Sequence, residues 1–234
     1  MRLRHTIGIL VGLLLAKFLW SFFHFDVPLG YDPGLYRYLF LQYADALGNL
    51  SLPTLQPWAQ EHPPGLFVAG AMLMKLGLSV DVLIGWMWNL IPVALAGLFA
   101  WVTAKRLGNA VGAAILLIAV LSLPYYDGFF AMYWKVYASL AFVILTYHFI
   151  EKWSPWFLLT ALLAIVVHHQ TGLILVLAVG IWWLLALRTR WNEKLFLWYT
   201  IALGVVALIG IVVYLPHWER AVWSPLKSIF LLRG

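Results

Sequence analysis

Leu195–Leu215 reads LFLWYTIALGVVALIGIVVYL: twenty-one residues with no charged side chain, no proline and no alternation of polar with apolar positions. As a helix rising about 1.5 Å per residue, it spans the roughly 30 Å hydrocarbon core of a bilayer. Backbone polar groups in lipid must be satisfied internally, so only helices or a closed barrel can cross. Barrel strands alternate residue by residue, which this run does not, so it predicts a helix. Working back along the chain, similar runs are Leu173–Leu187, Trp156–Val167, Phe129–Ile150, Ala110–Leu123, Val82–Ala104 and Thr6–Phe25. The 234 residues are 64% hydrophobic and 10% charged, with a mean hydropathy of +0.91. Soluble domains lie near 45–50% apolar and about 25% charged, and no soluble fold of this size hides so much apolar surface. The expected fold is an all-α polytopic membrane protein of about seven transmembrane helices, one domain over residues 1–234 with a long first outer loop at about 26–81.

The charges orient the bundle. Gly65–Leu78 is apolar but only fourteen residues long, which favours an interfacial or re-entrant helix over a span. If it does not cross, Arg2, Arg4, Lys105, Arg106, Lys152, Arg188, Arg190 and Lys194 all fall on the N-terminal side, as the positive-inside rule requires of the cytoplasmic face. The expected location is therefore the plasma (inner) membrane, multi-pass, with a cytoplasmic N-terminus. Thr6–Phe25 is too long for a signal-peptide core and lacks a small-x-small cleavage site, so it reads as a retained anchor. The net charge of +6 sits in short loops and is no nucleic-acid footprint. Without cysteine the chain has no disulfide, thiolate nucleophile or zinc-thiolate site. The acids Asp26, Asp32, Asp45, Glu61, Asp81, Asp127 and Glu219 gather on the outer side, and only Glu151 and Glu193 lie inside. Acids do not set topology, so their gathering suggests an outward-facing active site.

Within the first loop, Asp32–Leu47 carries Leu35, Tyr36, Leu39, Phe40 and Tyr43 at helical spacing and predicts an amphipathic surface helix. Asp32 followed by Pro33 is a helix-start signal, and Pro63-Pro64 opens a second surface helix in the same way. The stretch Gly30-Tyr31-Asp32-Pro33-Gly34-Leu35-Tyr36-Arg37, followed by Glu61-His62-Pro63-Pro64-Gly65-Leu66-Phe67, resembles the first outer loop of GT-C glycosyltransferases such as protein O-mannosyltransferases and the lipid A aminoarabinose transferase. Ala104-Lys105-Arg106-Leu107-Gly108 is similar too.

That resemblance implies transfer of a sugar from a polyprenyl-phosphate carrier to an extracytoplasmic acceptor, with a first-loop acid as base. Asp32 matches the acid, although Pro33 stands where many members have a second one; Glu61 is the alternative acid, and a helix cap is the structural alternative for Asp32. His62 matches the position near the carrier phosphate. Lys135 and Lys17 are further phosphate candidates, each with a structural alternative: headgroup snorkelling for Lys135, an interhelical hydrogen bond for Lys17. Tyr31, Arg37, Tyr126, Asp127, His168 and His169 complete the substrate-binding candidates. Adjacent histidines point about 100° apart on a helix, which disfavours a shared metal ion; a divalent ion stays open as a cofactor. The co-substrate is a polyprenyl-phosphate sugar in contact with membrane lipid. The acceptor is a glycan, lipid or protein, and a membrane partner subunit is left open. The rival reading is a non-catalytic membrane protein, a transporter or complex subunit; the internal repeats expected of a transporter are missing.

Overall fold

The computed structural model describes residues 2–25, 33–60, 62–131, 134–190 and 193–215. Among these the chain is helical throughout, with no strand. The order is α1 (Arg2–Phe25), α2 (Pro33–Gly48), a 3₁₀ turn (Pro57–Ala59), α3 (Gly65–Lys75), a short turn α4 (Val80–Val82) running into a π turn (Leu83–Met87), α5 (Leu90–Leu107), α6 (Asn109–Leu121), α7 (Leu123–Phe130), α8 (Trp134–Ile150), α9 (Trp156–Val167), α10 (His169–Arg190) and α11 (Lys194–Tyr214). Among the described residues three helices, α5, α10 and α11, are long and apolar enough to cross a membrane; the α6–α7 pair, bent by 62°, is a fourth if the two form one broken span, and otherwise a re-entrant loop. The outward faces of α10 and α11 are apolar, with Leu184, Trp198 and Leu208 each more than 60% exposed. Such a surface is stable in hydrocarbon, not in water.

Two expected spans are cut differently. The run Val82–Ala104 is not one helix: the backbone leaves helical geometry at Gly85, and α5 proper begins at Leu90. A Cβ at Gly85 would lie 2.8 Å from the Phe22 ring of α1, so glycine lets the two segments meet. Likewise Phe129–Ile150 starts late, at Trp134. Tyr125-Tyr126-Asp127, which the sequence places between the runs Ala110–Leu123 and Phe129–Ile150, lies inside α7. That helix is capped by the Ser122 hydroxyl, which accepts the Tyr125 N–H at 3.1 Å, with Pro124 in its first turn.

The tightest pair is α8 against α9, running antiparallel. The buried Ser139 hydroxyl donates to the Ala164 carbonyl at 2.8 Å, and further along Thr146 donates to Thr160 at 3.0 Å. Arg106 pairs with Glu151 at 2.6 Å, and the Arg190 guanidinium sits 4.4 Å over the Trp153 ring. These contacts collect the ends of α5, α8 and α10 at one pole. The opposite pole holds α2, α3, α7, the start of α8 and the α9–α10 junction. There an aromatic layer of Tyr36, Phe40, Phe67, Trp88, Phe129 and Trp134 packs with ring centroids about 5–6 Å apart.

Candidate functional site

The register of α8 on α9 builds the site. One helical turn beyond the Ser139–Ala164 contact, Lys135 on α8 comes opposite His168, the single residue that separates α9 from α10. His168 is extended (φ −149°, ψ 117°), and its Nδ1 accepts the Thr171 N–H at 3.3 Å, with the Thr171 hydroxyl at 2.8 Å. It is therefore the N-cap of α10. The third contributor is His62, carried by the turn before α3. Lys135 Nζ lies 2.5 Å from His62 Nδ1.

Gly65 makes that approach possible. A Cβ there would fall 2.7 Å from both the Val166 side chain and the Val166 carbonyl oxygen. Only glycine lets α3 sit so close to the end of α9, and Pro63, fully buried just before it, fixes the turn carrying His62.

Electrostatics follow from this crowding. Burial lowers the His62 pKa to about 4, helped by Lys135 and then His169. Burial lowers His168 to about 4 as well, helped by His169 and then Lys135. Both rings are neutral at pH 7. An ammonium can only donate, so Lys135 donates a hydrogen bond to His62 Nδ1, and the His62 ring proton resides on Nε2. Thr171 N–H likewise makes His168 Nδ1 an acceptor and leaves its proton on Nε2. The cluster thus combines one cation with imidazole N–H donors, the chemistry that binds an oxyanion. The His168 and His169 rings lie 5.2 Å apart, and among the described residues no three His, Asp or Glu side chains gather as a metal site.

The other predicted site residues stand apart from this cluster. Lys17 donates to the carbonyls of Val120 and Ser122, each at 2.8 Å, and of Ala119 at 3.3 Å. The break between α6 and α7 frees these carbonyls, and the ammonium satisfies them, the interhelical role open to an intramembrane lysine. Tyr126 lies beneath it, with Lys17 Nζ 5.6 Å from the ring centroid, and Asp127 is exposed on the same helix. Arg37 pairs with Asp81 at 3.1 Å and ties α2 to α4. Tyr31, Asp32 and Glu61, like the outer acids Asp26 and Glu219, lie outside the described residues.

Sequence reasoning gave no role to Thr171, which orients His168, and missed Ser139, which sets the register. The first had a signal: a threonine three residues after a helix-breaking histidine is capping spacing. It also missed the indole N–H groups of Trp88 and Trp134, which are buried and find no acceptor among the described residues. No protein-family model matches the chain, and neither a curated protein nor a solved structure matches it.

Proposed function

We propose that the protein is a membrane glycosyltransferase that moves a sugar from a polyprenyl-phosphate carrier to an acceptor hydroxyl on the extracytoplasmic face. In this reading α1, α8 and α9 also span, giving seven crossings in all, and α2 and α3 lie along the outer surface. The observation that carries the proposal is the meeting of Lys135 and His62, with His168 and His169 beside them, at the pole where the first loop folds back. Three distant stretches of chain converge there on a cation and N–H donors suited to a phosphate.

The acceptor oxygen attacks the anomeric carbon as the carbon–oxygen bond to phosphate breaks. Asp32 takes the acceptor proton, and the carrier leaves as polyprenyl phosphate. Lys135 and the imidazole donors stabilise the charge that grows on the leaving oxygen. This leaving group needs charge stabilisation more than protonation.

The test is release of polyprenyl phosphate by the purified protein from a panel of polyprenyl-phosphate sugars. Asp32→Asn keeps the side chain's size and shape, and should lower release by roughly 10²–10⁴-fold with insertion and monodispersity unchanged. Full activity in that variant moves the base to Glu61. No release from any donor by wild type sinks the enzyme reading in favour of a non-catalytic membrane protein.

A further inference from the structure

At the basic pole two short stripes of side chains meet. Trp101 and Lys105 stand one turn apart on α5 and share a face. His148 lies in the last turn of α8, with Lys152 one turn further along the chain. The Trp101 and His148 rings are 4.7 Å apart and tilted by 52°, and they form a platform between the two lysines. Lys152 Nζ lies 3.0 Å from His148 Nε2. An ammonium only donates, so the ring proton sits on Nδ1 and the imidazole is neutral. His148 is buried, whereas Lys105 and Lys152 are exposed. Among the described residues the charges that act on His148 are Lys152, Arg106, Glu151 and Lys105. Arg106 and Glu151 answer each other at 2.6 Å. Among the described residues Lys105 makes no hydrogen bond or ion pair, and Lys152 bonds only the neutral imidazole. Two positive charges are left in surplus.

We propose that this surface binds the phosphate of an anionic phospholipid between the Lys105 and Lys152 ammonium groups. The inference does not rest on the glycosyltransferase reading. Position selects a lipid. α5 is long and apolar enough to cross a bilayer, and Lys105 stands in its last turn, at headgroup level. Trp101 is 45% exposed one turn inside that level, where tryptophan anchors a helix to the interface. Leu107, 68% exposed, ends the same helix. Charge selects the headgroup. A phosphodiester answers the surplus, whereas a zwitterionic headgroup would bring its own ammonium among the lysines. A soluble phosphate would meet the lysines and leave Trp101 and Leu107 uncovered. The positive-inside rule accounts for lysines in the loops of this pole. It does not ask them to converge on one aromatic platform whose other charges are already paired. Basic pockets between spans are suited to anionic headgroups in this way.

The experiment measures binding to the full chain in detergent, by native mass spectrometry, of phosphatidylglycerol, phosphatidylcholine and glycerol 3-phosphate. Phosphatidylglycerol should bind about tenfold or more tightly than either of the others. Lys105→Gln and Lys152→Gln should each weaken it about fivefold, the effect of one basic side chain at a charged surface, and together about twentyfold or more. Neither should change phosphatidylcholine. Lys194→Gln removes a cation of the same pole, on α11, that is not among the charges acting on His148, and should change neither lipid. Equal binding of the two lipids would overturn the proposal. So would a loss in Lys194→Gln as large as in the platform variants, because the overall charge of the pole would then draw the lipid. Glycerol 3-phosphate competing as well as phosphatidylglycerol would assign the platform to a soluble anion and overturn the lipid. None of these outcomes touches Lys135 or His62, so the proposed function stands or falls by its own test.

Discussion

His62 and His168 are bases held neutral, and stability should record it. Each has a folded pKa near 4 against an ordinary value of 6.5, with Lys135 and His169 facing both rings. Between those values the unfolded chain binds more protons than the folded one, so stability rises with pH there. The contribution is fully present above about pH 6.5 and is lost as pH falls through 4. The melting temperature of the purified protein should therefore be level from pH 7 to 8 in this respect and fall on acidification. His62→Gln should show a smaller fall over the same range, because a glutamine cannot charge. Equal acid sensitivity in the variant would mean that His62 is already protonated or solvated in the folded protein. At this scale the sequence was informative where chemistry is local. His62 and Lys135 stood out as phosphate candidates by type and position, and they meet. Thr171 did not stand out, because its importance comes from which nitrogen of His168 it engages, and a residue string carries no tautomers.

Among the elements, punctuation was legible and breaks inside apolar runs were not. Pro33 and the Pro63-Pro64 pair opened helices within a residue or two of where α2 and α3 begin, since proline fixes φ and asks for no N–H partner. The interruption at Gly85 escaped notice because hydropathy is blind to it: Val82–Ala104 is apolar on both sides of the break, and the ring that packs on Gly85 is Phe22, some sixty residues earlier. The α6–α7 bend had a signal in Ser122 and Pro124, the cap and first-turn proline of a new helix. Lys17 was read as a phosphate candidate with an interhelical hydrogen bond as its alternative, and in the structure it is held by backbone carbonyls. Which role it takes depended on the carbonyls this bend exposes. The element contact that matters most to the site is α3 on α9. Gly65→Ala places a methyl group against Val166, and overpacking of this kind costs about 1–3 kcal/mol. The strain should be relieved by α3 lifting and carrying His62 from Lys135. We expect the variant to fold, melt lower and bind dimethylallyl phosphate more weakly. Gly97→Ala meets nothing within 4 Å and should leave both unchanged. Full phosphate affinity in Gly65→Ala would show that His62 reaches the site without this contact.

For the molecule as a whole, the poles carry the argument. Arg106 with Glu151, Arg190 with Trp153 and Arg190 with Glu193 bind one end of the bundle, and Lys105, Lys152, Arg188 and Lys194 neighbour them in sequence. The other end holds the Lys135 and His62 pair beneath α2 and α3. Membrane orientation follows lysine and arginine in short loops, and acids contribute little. The richly basic pole should therefore face the cytoplasm and the site the opposite side. The native chain has no cysteine, so single introduced cysteines report cleanly. Cysteine at Asn109 or Thr189 should resist a membrane-impermeant maleimide in intact cells and react after permeabilisation. Cysteine at Ser51 or Gln56, between α2 and α3, should react from outside. The decisive comparison is Ser51 with Leu78, which flank α3. If α3 lies along the surface both label from outside, whereas a crossing α3 would separate them and reverse every helix that follows. Outside-only labelling at Thr189 would bring the basic pole to the exterior and put the phosphate site in the cytoplasm. There a polyprenyl-phosphate sugar presented in the outer leaflet could not reach Lys135.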